Sequence, residues 1–156
     1  MDDVVIRASR PEDMAAVADL RWRWSVDEDG ADPAVTPERH REAMAAFARE
    51  HPDSHRCVVA ERDGVVLGMA WLAMNPRPPA PHRPHGRFAA ELQTVYVDPA
   101  LRGRGVAGRL VARLVELADE LGAERIVVHS SIVGETLYRR LGFGDARLLL
   151  QRPPED

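Results

Sequence analysis

Lysine is absent from this chain of 156 residues, and all 21 of its basic residues are arginine. A nucleotide-binding P-loop needs a lysine followed directly by serine or threonine, so that class of phosphate site is excluded. Mechanisms that depend on a catalytic lysine, such as Schiff-base formation, are excluded for the same reason.

Cysteine is almost as scarce, since Cys57 is the only one. A single cysteine cannot form an intramolecular disulfide, and its neighbours in RCVVAE are typical of a strand. We therefore predict a buried structural thiol. The histidine pairs His51 with His55 and His82 with His85 lack cysteine or carboxylate companions in a ligand pattern, so no metal site is predicted.

Long apolar runs are also missing. No window approaches the roughly 20 apolar residues that a membrane-spanning helix needs, and the first residues, MDDVVIRASRPED, are acidic where a signal peptide is basic. The net charge of −4 gives no general attraction to nucleic acid or to an anionic membrane. These features predict a cytoplasmic protein with one domain over residues 1–156 and with neither nucleic acid nor membrane as a partner.

Strand and helix patterns alternate along the chain. Apolar spacing, turn dipeptides and helix-ending glycines predict strands over 4–9, 55–62, 65–74, 88–97, 124–130 and 145–152, and helices over 14–24, 37–50, 103–121 and 133–143. Asp63-Gly64 predicts a hairpin turn, and Gly122 and Gly142 end the last two helices. The order β-α-α-β-β-β-α-β-α-β indicates a mixed α/β sheet domain. In helix 103–121 the residues predicted to face inward are Val106, Leu110, Val111, Leu114, Leu117 and Leu121.

Two loops stand out by composition. Residues 25–36 contain four acids, Asp27, Glu28, Asp29 and Asp32, and no base. Residues 76–88 contain five prolines, which predict an extended loop.

The sequence GRGVAG, residues 103–108, is a literal Gly-x-Gly-x-x-Gly. In a dinucleotide site these glycines follow the first strand at once, and an acid ends the next strand. Here the motif comes after four predicted strands, Glu124 stands at the start of the next strand and not at its end, and His129 stands where the acid belongs. A dinucleotide site is therefore not predicted, but glycines at a helix start still indicate a phosphate ligand.

With its flanks, VYVDPALRGRGVAGRLV resembles the signature of the GNAT superfamily of acyl-CoA N-acyltransferases, through Arg102, Gly105 and Ala107. The later GETLYRRLGF resembles the second motif of that superfamily, through Tyr138, Gly142 and Phe143. The resemblance implies a GNAT-like fold, with a mixed, mainly antiparallel central sheet and flanking helices, and acetyl-CoA as co-substrate without a metal.

The same resemblance implies a cofactor site built largely from backbone. N–H groups at the helix start would hold the pyrophosphate, the parted strands would pair with the pantetheine arm, and N–H groups near Val95 or Val97 would hold the oxyanion. The implied cofactor-binding residues are Val95, Tyr96, Val97, Arg102, Gly103, Arg104, Gly105, Val106, Ala107, Gly108, Ser131 and Tyr138. Ser131 stands where many members of the superfamily carry Asn, and Gly134 stands where they carry Ala.

Two catalytic residues follow. Tyr138 matches the residue that protonates the leaving thiolate. Glu91 is the first candidate for the base that deprotonates the amine, because period-two alternation places Glu91 and Gln93 on the face of Val95 and Val97. His129 and water are the alternatives.

The predicted function is N-acetyl transfer from acetyl-CoA to a primary amine by direct attack. The acceptor is a small molecule or a peptide amine, and it is cationic if the acidic loop contributes to binding. The alternative is a catalytically silent acyl-CoA sensor or interaction domain. The oligomeric state is open, with a homodimer as one option.

Overall fold

The computed structural model describes residues 3–131 and 134–155. Its strands are β1 (Val5–Ala8), β2 (His55–Arg62), β3 (Val65–Pro76), β4 (Phe88–Val97) and β5 (Ile126–Val128). Its α-helices are α1 (Met14–Trp22), α2 (Pro37–Glu50), α3 (Val106–Leu121) and α4 (Glu135–Arg140).

The five strands form one sheet in the order β1-β2-β3-β4-β5. Neighbours from β1 to β4 are antiparallel, whereas β4 and β5 are parallel. This confirms the mixed, mainly antiparallel sheet with flanking helices.

Each face of the sheet packs against different helices. On one face, α3 buries an apolar stripe that includes Leu110 and Leu114, both with no exposed surface, against Leu72 and Leu92. On the other face, Val17 of α1 packs on Met69 and Trp71. Cys57 is buried in this second core, as predicted, and burial raises the pKa of its thiol to about 12.

Two predicted connections are confirmed. The hairpin between β2 and β3 turns at Asp63 and Gly64, with φ of 52° and 76°, as a type I′ turn requires. The proline-rich loop over residues 77–87 lies between β3 and β4 and is held by Glu124, which accepts from Arg77 at 2.5 Å and from Arg87 at 2.6 Å. The Arg87 guanidinium, with Arg77 beside it, lowers the pKa of Glu124 to about 2.

Four expectations were wrong. No strand forms over residues 145–152 in the described chain, because this segment lies unpaired with Leu148, Leu149 and Leu150 exposed. Leu121, the last residue of α3, is 41% exposed and lies outside the buried stripe. Helix α3 begins at Val106 and not at Gly103, because Gly103 and Gly105 have positive φ. Residues 25–28 are not loop, because a π-helical segment over Arg23–Glu28 continues α1.

None of the helices in the described residues is long and apolar enough to span a membrane.

Candidate functional site

Strands β4 and β5 part halfway along β4. Their paired residues are Ala90 with Ile126, Glu91 with Val127, and Leu92 with Val128, and no later pair joins these two strands in the described chain. Backbone groups beyond Leu92 on this side of β4 are therefore open to an incoming extended ligand.

A bulge in β4 accompanies the parting. Trp71 of β3 pairs with Gln93, and Met69 pairs with Tyr96, so three steps along β4 oppose two along β3. Thr94 takes up the extra residue with φ of 50°, in the left-handed region that a β-branched residue seldom adopts. Such strain is common beside functional sites.

The bulge corrects one prediction about the faces of β4. Because it shifts the alternation by one residue, Glu91 and Gln93 share a face with Tyr96, on the α1 side of the sheet. Val95 and Val97 pack on the α3 side. Uniform period-two alternation was the wrong assumption, and Glu91 lies on the opposite face from the one predicted.

A cavity of about 570 Å³ occupies the gap between the strands. Its walls come from β4 and its bulge, the start of α3, the end of β5, α4 and the π-helical segment. Among the predicted residues it is lined by Val95, Tyr96, Val97, Arg102, Ala107, His129, Ser131 and Tyr138. Glu91 is half-buried and is not among the lining residues.

The start of α3 forms a turn suited to an anion. Gly103 and Gly105 have φ of 77° and 73°, and the N–H groups of the first helical turn have no intrahelical acceptors. No acidic side chain lies in that turn. Together with the helix dipole, these N–H groups suit an anion, and we call residues 102–108 the phosphate turn.

The two arginines of the motif have different surroundings. Arg104 is exposed. Arg102 folds back, donating from Nε to the Val97 carbonyl at 3.0 Å and from Nη2 to both oxygens of Glu28, at 2.9 and 3.1 Å.

Tyr138 lies on the opposite wall from the bulge, in α4. Its ring meets that of Phe143 edge-on, with centroids 5.7 Å apart. Burial raises the pKa of its hydroxyl above the ordinary value, so the group keeps its proton throughout the neutral range. Tyr138 is one of the residues that line the cavity.

Ser131 and Gly134 form the turn against which the ring of Tyr138 packs. The Ser131 hydroxyl accepts from the Gly134 N–H at 3.1 Å, just before α4 begins. A Cβ added to Gly134 would lie 3.2 Å from Cε2 of Tyr138, so the absence of a side chain lets the ring sit close to this turn.

The carboxylate of Glu28, which was predicted to lie in a loop, is part of the site. Glu28 lines the cavity and accepts from the Tyr96 hydroxyl at 2.7 Å as well as from Arg102. The Tyr96 hydroxyl, followed by Arg102, lowers the pKa of Glu28. Burial, followed by this hydrogen bond, raises the pKa of Tyr96 to about 12.

A second ion pair runs beside the first with its charges reversed. Arg23 donates to the largely buried Asp98, whose other carboxylate oxygen accepts from the Ala100 N–H at 2.8 Å. The π-helical segment thus supplies one base and one acid, and residues 98–102 supply their partners. We call these two ion pairs the crossed pairs; they join the end of α1 to the segment that leads into the phosphate turn.

Sequence reasoning missed the crossed pairs, Trp24, and the side chain of Tyr96. Trp24 lines the cavity and stacks on Tyr96, with ring centroids 5.9 Å apart. The run of acids at 27–32 was the only available signal, and it did not single out Glu28. The partners of Glu28 lie 68 and 74 positions away, beyond any local pattern.

Histidine, cysteine and carboxylate side chains do not cluster in metal-binding groups of three or more anywhere in the described ranges.

Comparisons with known proteins give the family and the fold of this chain. The model of the acetyltransferase (GNAT) family matches residues 14–143. An uncharacterized protein of Mycobacterium leprae is 33% identical over 91% of this chain, and the mycothiol acetyltransferase of Cellulomonas flavigena is 32% identical over 55% of it. The chain spans only 35% and 26% of the lengths of these two relatives.

Solved structures share the fold. The crystal structure of a predicted acetyltransferase from Clostridium acetobutylicum with acetyl-CoA superposes with a TM-score of 0.75 at 22% identity, covering 96% of each chain.

Proposed function

Because the chain belongs to the GNAT family of acetyltransferases, whose co-substrate is acetyl-CoA, we propose that it transfers the acetyl group of acetyl-CoA to a primary amine by direct attack. The observation that carries the proposal is the gap between β4 and β5, which has the phosphate turn at one end and Tyr138 on its wall.

In this proposal the cofactor is bound mainly by backbone. The N–H groups of residues 102–108 hold the pyrophosphate at the start of α3, where an anion also meets the positive end of the helix dipole. The exposed guanidinium of Arg104 adds charge, and so does that of Arg102, which donates to Glu28 from the same segment. The pantetheine amides pair with the free backbone of β4 beyond Leu92, and Ser131 lies beside their path.

Transfer then needs an oxyanion site and an acid. A backbone N–H at the bulge, near Val95 or Val97, stabilises the negative charge that develops on the thioester oxygen as the amine attacks. The C–S bond breaks, and Tyr138 gives its proton to the departing CoA thiolate. The half-buried position of Tyr138 keeps that proton in place until the thiolate forms.

The base is one of two side chains or a water. Glu91 lies on the face of β4 that carries Tyr96, where an acceptor bound beside α1 would be, and His129 lines the cavity itself. Glu28 is a poor base because its neighbours lower its pKa. Glu91→Gln and His129→Gln distinguish the two, since removal of the base abolishes the acidic limb of the pH profile of kcat/KM.

The test of the proposal measures binding and transfer separately. We expect acetyl-CoA to raise the melting temperature and NADH to leave it unchanged, because the turn offers pyrophosphate contacts without a ribose-binding acid. We expect release of free CoA thiol to depend on an added amine, with the acetylated product detected by mass spectrometry. Stabilisation by acetyl-CoA without transfer to any amine of a broad panel would instead support the silent sensor.

A further inference from the structure

Among the described residues that line the cavity, only one carries a carboxylate. Of the four acids between α1 and α2, only Glu28 lines the cavity, whereas Asp27, Asp29 and Asp32 do not. The other lining groups that titrate or carry charge are Tyr96, Arg102, His129 and Tyr138. Any electrostatic selection of the acceptor at this end therefore involves Glu28.

The hydrogen bonds of Glu28 leave it able to bind one more donor. An ionised carboxylate offers about four acceptor positions. Tyr96 and Arg102 both donate to Oε1, and Arg102 donates once to Oε2. The side chain is 32% exposed and lines the cavity, which leaves room for a further donor.

The charge of Arg102 does not remove that of Glu28 once the cofactor binds. Arg102 belongs to the segment that receives the pyrophosphate, and an anion there shares the positive charge of the guanidinium. Arg23, the other base that acts on Glu28, is paired with Asp98, so the carboxylate of Glu28 keeps an attraction for a cation.

The group that Glu28 holds is not the reacting amine. A carboxylate in contact with an ammonium favours its charged form, and only the neutral amine attacks a thioester. Glu28 is instead suited to a second ammonium on the same molecule, which stays protonated while the first amine reacts.

From this, and resting on the proposed acetyl transfer, we propose that Glu28 is the specificity-determining carboxylate for acceptors that carry a second positive charge, namely diamines and polyamines. Tyr96 and Arg102 orient the carboxylate, and the π-helical turn that ends at Glu28 carries it to the cavity wall.

The test compares cadaverine with pentylamine, which have the same five-carbon chain and differ in the second ammonium. We expect wild-type kcat/KM to be at least about tenfold higher for cadaverine, mainly through KM, and this preference to shrink as salt is added. Glu28→Gln keeps an oxygen for Tyr96 but removes the charge. It should lower kcat/KM for cadaverine about tenfold more than for pentylamine.

Matched controls are Asp27→Asn and Asp29→Asn, which remove the same charge from the same segment outside the cavity lining and should leave the preference intact. Equal wild-type rates with the two amines would overturn the inference while leaving acetyl transfer established. If the controls reduce the preference for cadaverine as much as Glu28→Gln does, the preference comes from the overall negative charge of the segment, and the inference is overturned. A change confined to the KM for acetyl-CoA would make Glu28 a positioning residue for Arg102, which also overturns the inference. Lack of transfer to any amine would overturn the proposed function itself.

Discussion

The two sides of β4 contribute different kinds of groups to the site, backbone atoms on one side and side chains on the other. On the side toward β5 and α3, the groups that we propose for cofactor binding are backbone atoms, namely the N–H groups of the phosphate turn and the unpaired edge beyond Leu92. On the side toward α1, the groups are side chains held by one another: Trp24 on Tyr96, and Glu28 between Tyr96 and Arg102.

This difference bears on how each half can change. A backbone site depends on conformation and tolerates many side chains, so it suits a cofactor that stays the same. A side-chain site changes with single substitutions, so it suits an acceptor that differs between relatives. Variants that affect one half and not the other therefore test the division.

The largest effect is expected from Tyr138→Phe, on the cofactor side. Loss of the proton donor should lower kcat by roughly 100-fold or more and leave the KM for acetyl-CoA unchanged, since the phosphate turn is untouched. Burial raises the pKa of Tyr138, so ionisation of this tyrosine should cause no loss of wild-type activity in the neutral range. Steady-state kinetics across pH measure both, and unchanged turnover in the variant would remove Tyr138 from the mechanism.

The second largest effect is expected at Gly105, which has a φ of 73°. A residue with a side chain adopts this φ at a cost of about 1–2 kcal/mol. We expect Gly105→Ala to raise the KM for acetyl-CoA about tenfold by distorting the turn, with the KM for the amine unchanged.

Gly30 provides a matched control, because its φ is 72° and, as at Gly105, an added Cβ would meet no atom within 4 Å. Gly30→Ala should lower the melting temperature by a similar amount without changing the KM for acetyl-CoA. A similar rise in that KM would show that the strain acts through global stability and not through the turn.

A smaller effect is expected where the two halves meet. Asp98→Asn weakens the pair with Arg23 and the cap on Ala100, so we expect a loss of about 1–2 kcal/mol in the free energy of unfolding and a modest rise in both KM values. Asp19→Asn breaks a pair with Arg41 in which both side chains are about half exposed, and should change little. Chemical denaturation measures the difference, and equal losses would argue against a special role for the crossed pairs.

The smallest effect is expected from treating the native protein with an alkylating reagent, because Cys57 lies in the core on the α1 side. Its pKa of about 12 and its burial predict that iodoacetamide at pH 8 leaves the native thiol unmodified, while the denatured chain reacts fully. Mass spectrometry reports the extent of alkylation. Rapid modification of the native protein would show that this core opens, contrary to the rigid support that the acceptor side requires.

The sequence was informative where local chemistry decides the structure. The turn at Gly103 and Gly105, the helix α3 and the hairpin at Asp63-Gly64 could all be predicted. Each of these features depends on residues close together in the chain. The bulge at Thr94 was hidden, since threonine in a run of strand residues gives no sign of a positive φ.

The missing strand over 145–152 and the crossed pairs have a common explanation. A run such as LLL has strand composition, but a strand also requires a partner, and in the described chain this segment has none. Likewise, Arg23 and Glu28 are ordinary helix-surface residues until the fold brings residues 98–102 beside them. Partners separated by about 70 positions cannot be chosen from one sequence by periodicity.

The parting of β4 and β5 also has a consequence for solubility. Unpaired strand edges usually invite a second chain to add, which is why exposed edges promote aggregation. Here the open edge beyond Leu92 faces into a cavity walled by α3, α4 and the π-helical segment, where a thin flexible ligand fits more readily than another polypeptide strand. The open backbone of β4 is therefore accessible to a ligand. Its position inside the cavity protects it from the self-association that an exposed edge of the sheet would cause.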